Sequence, residues 1–404
     1  MILQSCKKSY NNETQRTVPP EETLARVEKA MPAAGITRVA DITSLDRIGI
    51  PVFSSIRPTA QSGAISVYNG KGATPIEARV SAMMEGIERY SAENGKIDLE
   101  IDRFSHISGQ RTTLNPLDLI LPHKADPDMP IPWITGYDIM QEEEIAVPAS
   151  AVFHPLAVEY PQLFRTSTNG LASGNTTEEA IFHALMEVIE RDAWSLVEAT
   201  RDTGPEIVEI KDTLTRSLLD KFSSAEVDVT IKNITSEIGI PTFAAVSDDI
   251  RLKDPALLTI GMGTHTSARI AVLRALTEVA QSRLTQIHGA REDTTVADIR
   301  KKMGYERTRR MNRYWFEASS EMRFTDISSY DSDDFLKDIL FSMETLKRSG
   351  LERVIVVDLT RPEIGVPVVR VIVPGLEAYA MDQERIGRRC RDARNRRLSR
   401  AQPG

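Results

Sequence analysis

The sequence predicts an α+β fold in which mixed and antiparallel sheets pack against long helices and the chain divides into several subdomains. Three observations carry this expectation. At 404 residues the chain exceeds one typical core and fits two or three subdomains. Three long stretches read as helices, each preceded by a glycine-bearing turn. The strand-like stretches cluster beside the helices instead of alternating with them, which argues against regular βαβ units. The expected divisions are an N-terminal segment (1–65), a core (66–300) and a C-terminal helical and strand segment with a basic tail (301–404).

The first sixty residues read as irregular structure around one short helix. Pro19-Pro20-Glu21-Glu22 starts that helix, and Leu24, Val27 and Ala30 continue it. Ile48 to Ile56 is apolar and turn-rich. Asn69-Gly70-Lys71-Gly72 is a strong turn signal. The helix after it has Thr74 as N-cap, Pro75 at its first position and Glu77 completing a capping box, and it runs to residue 92. Residues 145–153 read as extended. A second turn, 168–175, is rich in Gly, Asn and Ser. The helix that follows again has capping-box spacing, Thr176 to Glu179, and ends near Ala199. Between 227 and 264 three segments enriched in β-branched residues read as strands. A Gly-Met-Gly-Thr-His turn then leads into a third helix, from about Ala268 to Ile287. The stretch 292–348 is mostly helical and charged, and 353–359 and 366–373 read as buried strands.

Composition excludes several classes. No run of eighteen apolar residues occurs, so no membrane span is expected. Met1 to Tyr10 is polar and lacks the apolar segment of a signal peptide, so a cytoplasmic protein is expected. Cys6 and Cys390 stand at opposite ends of the chain, which suits two free thiols in a reducing compartment. A net charge of -8 argues against a nucleic-acid partner. The tail runs against that balance, with arginines at 385, 388, 389, 391, 394, 396, 397 and 400. It reads as a solvated, frayed terminal helix, or as a basic patch for an acidic partner or for bound phosphates.

The three helices share a pattern. The first carries Ser81, Glu85 and Glu88; the second carries Glu187 and Glu190 beside Arg191; the third carries Arg274, Glu278 and Gln281. Met-Glu-x-Ile-Glu-Arg occurs at 84–89 and again at 186–191. Residues three or four apart share a helix face, so each set forms one stripe. Carboxylates three apart repel unless a cation sits between them, and hard oxygen donors of this kind suit Mg²⁺. Each Glu-x-x-Glu alone would read as a solvated face. Here all are embedded in apolar sequence, and buried carboxylates need partners. Three such helices converging would make a cage for a cation. Glycine turns and helix starts expose amides that suit phosphate. Lys71 lies in one such turn, yet no Walker A spacing occurs anywhere. Of the six histidines none pairs at metal spacing, and His265 reads as structural.

These stretches, NGKGATPIEARVSAMMEGIERYSAE (69–93), STNGLASGNTTEEAIFHALMEVIERDA (167–193) and the segment 261–293, resemble the YcaO family. The resemblance implies ATP binding without a P-loop and Mg²⁺ held by helix glutamates. Carried over residue by residue, it implies nucleotide contacts from Lys71, Ser81, Glu85, Glu88, Asn175, Glu179, Glu187, Glu190, Glu278 and Gln281. It implies Mg²⁺ ligation by Glu85, Glu88, Glu187, Glu190 and Glu278, and catalytic roles for Arg191 and Arg274. Azoline-forming members commonly end in a PxPxP tail, whereas this chain ends Arg-Ala-Gln-Pro-Gly, which leans toward the thioamide-forming branch. Residues 17–58 look like the methanogenesis-marker members. That likeness implies a glycine of the methyl-coenzyme M reductase α subunit as substrate, converted to thioglycine with an external sulfide source. It also implies a TfuA-type partner and a homodimer. An azoline-forming cyclodehydratase and a non-catalytic ATP-binding scaffold are the alternatives.

Overall fold

The computed structural model describes residues 1–94, 99–292, 295–317 and 320–401. Capping chemistry sets where its long helices begin. The Thr74 hydroxyl accepts from the Glu77 amide and the Glu77 carboxylate accepts from the Thr74 amide, so Pro75–Ala92 starts where the sequence predicts. In Thr177–Thr200, Thr176 caps the Glu179 amide at 3.2 Å. The reciprocal half of that predicted box is missing, because the Glu179 carboxylate turns to the amide of Thr17 and the side chain of Asn175. Ala268–His288 stops at Gly289, whose φ of 61° is the left-handed conformation that ends helices.

Among the described residues, a six-stranded antiparallel sheet has the order Glu100–Asp102, Ile131–Asp138, Ile355–Asp358, Val368–Ile372, Leu171–Ser173, with Glu143–Pro148 also pairing with 131–138. A five-stranded sheet runs Thr259–Thr264, Thr242–Asp248, Asp228–Asn233, Glu206–Val208, Glu321–Arg323, and its last pair is parallel. A three-stranded antiparallel sheet joins Arg38–Asp41, Val52–Ile56 and Val67–Lys71. The result is an α+β fold of mixed and antiparallel sheets, as the sequence predicts. The core follows the same plan. Ile181, Leu185 and Ile189 pack on Val356, Val369 and Val371, and Ala271, Ala275 and Val279 pack on Ile231, Phe243 and Ala245.

Several expectations change. The first sixty residues are more regular than predicted, with helix Pro20–Ala30 and the strands 38–41 and 52–56. Strand 131–138 was unpredicted, since Pro130, Pro132 and Gly136 mask its alternation. The extended segment 145–153 ends early, because residues 149–151 turn into a short 3-10 helix. Asn69-Gly70-Lys71 and Gly261-Met262-Gly263 are strands, not turns. Their glycines are there for proximity. A Cβ on Gly70 would collide with the backbone of Ala82, on Gly261 with that of Val279 and on Gly263 with that of Ala271. Strand and helix therefore touch backbone to backbone.

Cys6 and Cys390 are free and buried. No helix among the described residues is long and apolar enough to cross a membrane. The basic tail is a helix, Arg388–Ala401, folded back onto helix 177–200. Arg389 donates to both oxygens of Asp192 at 2.8 and 2.7 Å, and Arg394 donates to the Ala199 carbonyl at 2.8 Å. Asp192 is fully buried, so its charge needs this partner, and the tail is only partly a solvated helix. The Arg400 side chain and residues 402–404 lie outside the described residues.

Substitution of Gly261 by alanine is expected to destabilise the protein by about 1–3 kcal/mol, since the backbone itself must move aside. Gly109→Ala, whose Cβ would meet only the His106 carbonyl at 3.4 Å, is expected to stay within about 0.5 kcal/mol of the parent. Denaturant unfolding of both variants checks this.

Candidate functional site

The three glutamate helices present their predicted stripes to one cavity of about 800 Å³. Lys71, Ser81, Glu85, Glu88, Asn175, Glu179, Glu187, Glu190, Arg191, Arg274, Glu278 and Gln281 all line it. Helix 177–200 supplies its long wall. From Glu179 to Trp194, both lining residues, the helix rises roughly 22 Å.

The carboxylates fall into two sets. In the first, Glu85 accepts from Arg89 Nε at 2.8 Å, Glu88 accepts from the Ser173 amide at 2.9 Å, and Glu187 accepts from the Gly170 amide at 3.3 Å. Burial, and then the neighbouring Glu85, push the Glu88 carboxyl well above the usual range. Burial also raises Glu187, against the pull of Arg191 and Arg89. In the second set, burial and then Glu278 push Glu190 up to about 7. Glu278 moves the other way: burial opposes it, but the Lys71 ammonium and then Arg191 hold it below its ordinary value. Glu278 pairs with Lys71 and accepts from the Met262 amide at 3.2 Å.

Charge coupling thus links Glu88 with Glu85 and Glu187, and Glu190 with Glu278. Among the described residues no three metal-binding side chains stand ready-made around a point. The donor chemistry nevertheless fits Mg²⁺. Buried carboxylates that raise one another's pKa are short of positive charge, and all their donors are hard oxygens.

The remaining residues frame these sets. Arg191 lies 3.5 Å from Glu190, and its guanidinium sits over the Trp194 ring at 5.6 Å. Arg274 Nε is buried with no hydrogen-bond partner among the described residues. Ser81 Oγ accepts from the Lys71 amide at 3.3 Å, and Gln281 donates to the Asn69 carbonyl at 2.6 Å. Asn175 and Glu179 are held by the N-terminal segment. Thr23 donates to Asn175 at 2.9 Å, and the Thr17 amide and hydroxyl donate to Glu179 at 2.9 and 2.7 Å.

Sequence reasoning missed part of the wall. A hairpin of Tyr10–Asn11 against Gln15–Arg16 brings Tyr10, Glu13 and Arg16 to the cavity. The Glu13 carboxylate accepts from the Ala73 amide, so one predicted phosphate-type amide is already engaged. Burial, and then Glu77, push Glu13 up to about 8. Strands of two residues show no periodicity, so no signal marked this hairpin. Arg89 did carry a signal, since it occupies the position of Arg191 in the repeated Met-Glu-x-Ile-Glu-Arg. His265 is a core residue: its Nδ1 accepts from the Ser267 amide at 2.9 Å, and its ring stands edge-on to Phe182 at 5.0 Å.

The family model described as YcaO cyclodehydratase, ATP- and Mg²⁺-binding, matches residues 69–377. A protein of Methanothermobacter thermautotrophicus is 51% identical over 387 residues, covering 94% of this chain and 99% of that one. An uncharacterized protein in the tfuA 3′ region of Rhizobium leguminosarum bv. trifolii is 33% identical, covering 90% of this chain and 88% of its own. The structure of YcaO from Methanopyrus kandleri bound with AMPPCP and Mg²⁺ superposes with a TM-score of 0.80 at 31% identity, covering 95% of this chain and 98% of that one.

Glu179 is the anchor of the N-terminal hairpin, so Glu179→Ala is expected to cost about 3 kcal/mol by stranding the amides and the Arg16 charge it satisfies. Hydrogen exchange should rise first at residues 10–17. Exchange that rises evenly over the whole chain would contradict the anchoring role.

Proposed function

The chain belongs to the YcaO family, and on that premise we propose that it is a cytoplasmic thioamide synthetase. It uses ATP and Mg²⁺ to exchange a peptide backbone oxygen for sulfur. The proposed substrate is a glycine in a peptide segment of the methyl-coenzyme M reductase α subunit, with thioglycine as product. The observation that carries the reading is the convergence of twelve sequence-selected residues on one cavity. The methanogen sources of two relatives support the substrate, and the 33% identical relative from a tfuA region supports a TfuA-type partner. A homodimer and the 1–65, 66–300 and 301–404 divisions complete the proposal.

An amide carbonyl is a poor electrophile and its oxygen a poor leaving group. Phosphorylation of that oxygen answers both problems. The amide oxygen takes the γ-phosphoryl group of ATP, ADP departs and the amide N–H gives up its proton. Hydrosulfide then adds to the carbon, and phosphate leaves as the C=S bond forms and the nitrogen is reprotonated. Mg²⁺, held by Glu85, Glu88, Glu187, Glu190 and Glu278, supplies positive charge to the phosphates. Arg191 and Arg274 offset charge that develops on the transferred group, and a partner-free Arg274 Nε suits that task. Lys71, Ser81, Asn175, Glu179 and Gln281 hold the nucleotide. Neither cysteine lines the cavity, which supports an external sulfide source.

The family description keeps a second reading in view, an azoline-forming cyclodehydratase. Mass spectrometry separates the two. With ATP, Mg²⁺, sulfide and a TfuA-type partner, a glycine peptide from the reductase should gain the mass difference of sulfur for oxygen. Loss of water from a cysteine peptide would replace thioamidation with cyclisation. In the same assay Glu190→Ala is expected to keep its fold and lose ATP turnover by about 100-fold or more. Unchanged turnover in a folded variant would remove Glu190 from the metal set.

A further inference from the structure

The two ends of the cavity differ. At the start of helix 177–200 it is lined by buried groups that already have partners: Glu13, 5% exposed, accepts from the Ala73 amide, and Asn175, 9% exposed, donates to Glu179, 1% exposed. At the other end stand Trp194, Ile260, Arg300 and Met381, all half-buried except Met381, which is 36% exposed. Asn175 and Glu179, proposed above to hold the nucleotide, stand at that first end. A chain segment of another protein has to reach the phosphates from the other end.

Trp194 is built for that position. It lies four residues after Glu190 and three after Arg191, one turn further along the same face. Its indole N–H donates to Glu198 at 3.3 Å. The same carboxylate accepts from Trp315 Nε1 at 3.1 Å and from the Tyr314 hydroxyl at 2.9 Å. This network holds the indole in place, with the Arg191 guanidinium over its ring at 5.6 Å from the centroid. Arg300 donates to the Leu258 carbonyl at 3.3 Å and also lines the cavity. A fixed indole flanked by isoleucine, methionine and guanidinium groups suits a peptide, whose planar amides stack on the ring and whose carbonyls accept from the cations.

We propose that Trp194, with Ile260, Met381 and Arg300, forms the subsite that receives the acceptor peptide next to the transferred phosphoryl group. Glu198 is its positioning residue. This rests on the peptide-modifying reading above, and binding is tested apart from turnover. A fluorescently labelled reductase peptide is titrated into the full chain loaded with AMPPCP and Mg²⁺, and AMPPCP binding is measured separately by calorimetry. Trp194→Ala is expected to weaken peptide binding by roughly 10- to 100-fold and leave AMPPCP binding unchanged. Trp194→Phe, which keeps a ring, should recover part of the loss. Loss of AMPPCP binding with peptide binding intact would assign Trp194 to the nucleotide and overturn the proposal. So would a parent protein that binds no peptide. A parent that binds the peptide through Trp194 but does not thioamidate it would overturn the reaction and leave the subsite standing.

Discussion

Crowded negative charge in a buried place is the constraint on which this architecture turns. Glu85, Glu88, Glu187, Glu190 and Glu278, from three helices, face one cavity, and burial together with mutual repulsion lifts Glu88 and Glu190 above their ordinary range. Such an arrangement is costly unless the fold holds it. Three of the carboxylates are accordingly tied to the backbone: Glu88 by the Ser173 amide, Glu187 by the Gly170 amide, Glu278 by the Met262 amide together with Lys71. Strand ends and loop amides that look incidental in the topology are there to fix these side chains.

The glycines serve the same constraint. For Glu278 to reach the Met262 amide, its helix must lie against the strand that carries Met262. Gly261 and Gly263 on either side remove the side chains that would hold the two apart. Gly70 does the same for the first helix. Packing this close transmits small displacements between strand and helix, which suits carboxylates whose spacing matters.

Much of this was legible in the sequence, and the reasons are local. The helix starts are written in Thr74-Pro75-x-Glu77 and Thr176-x-x-Glu179. The stripes are written in three- and four-residue spacing, which is why all twelve selected residues meet in one place. What was not legible depends on contacts distant along the chain. Glu13 and Tyr10 reach the cavity through strands too short for periodicity. Glycine motifs read as turns because close strand–helix approach leaves no mark of its own. Glu179 broke its predicted capping box because Thr17, 162 residues away, offers it better donors. The tail arginines read as solvated because nothing local announces Asp192.

That last contact has a consequence for the order of assembly. Helix 177–200 carries Glu187, Glu190 and Arg191, and it is clamped at its start by residues 16–23 and near its end by residues 377–394. During synthesis the first clamp emerges before the helix and the second emerges about two hundred residues after it, at 389 against 192. Until then Asp192 is a carboxylate facing an apolar interior without its cation. Helix 177–200 is therefore made midway through synthesis and is among the last elements to be finished, so a partly synthesised chain carries these side chains in its sequence without the contact that completes their helix.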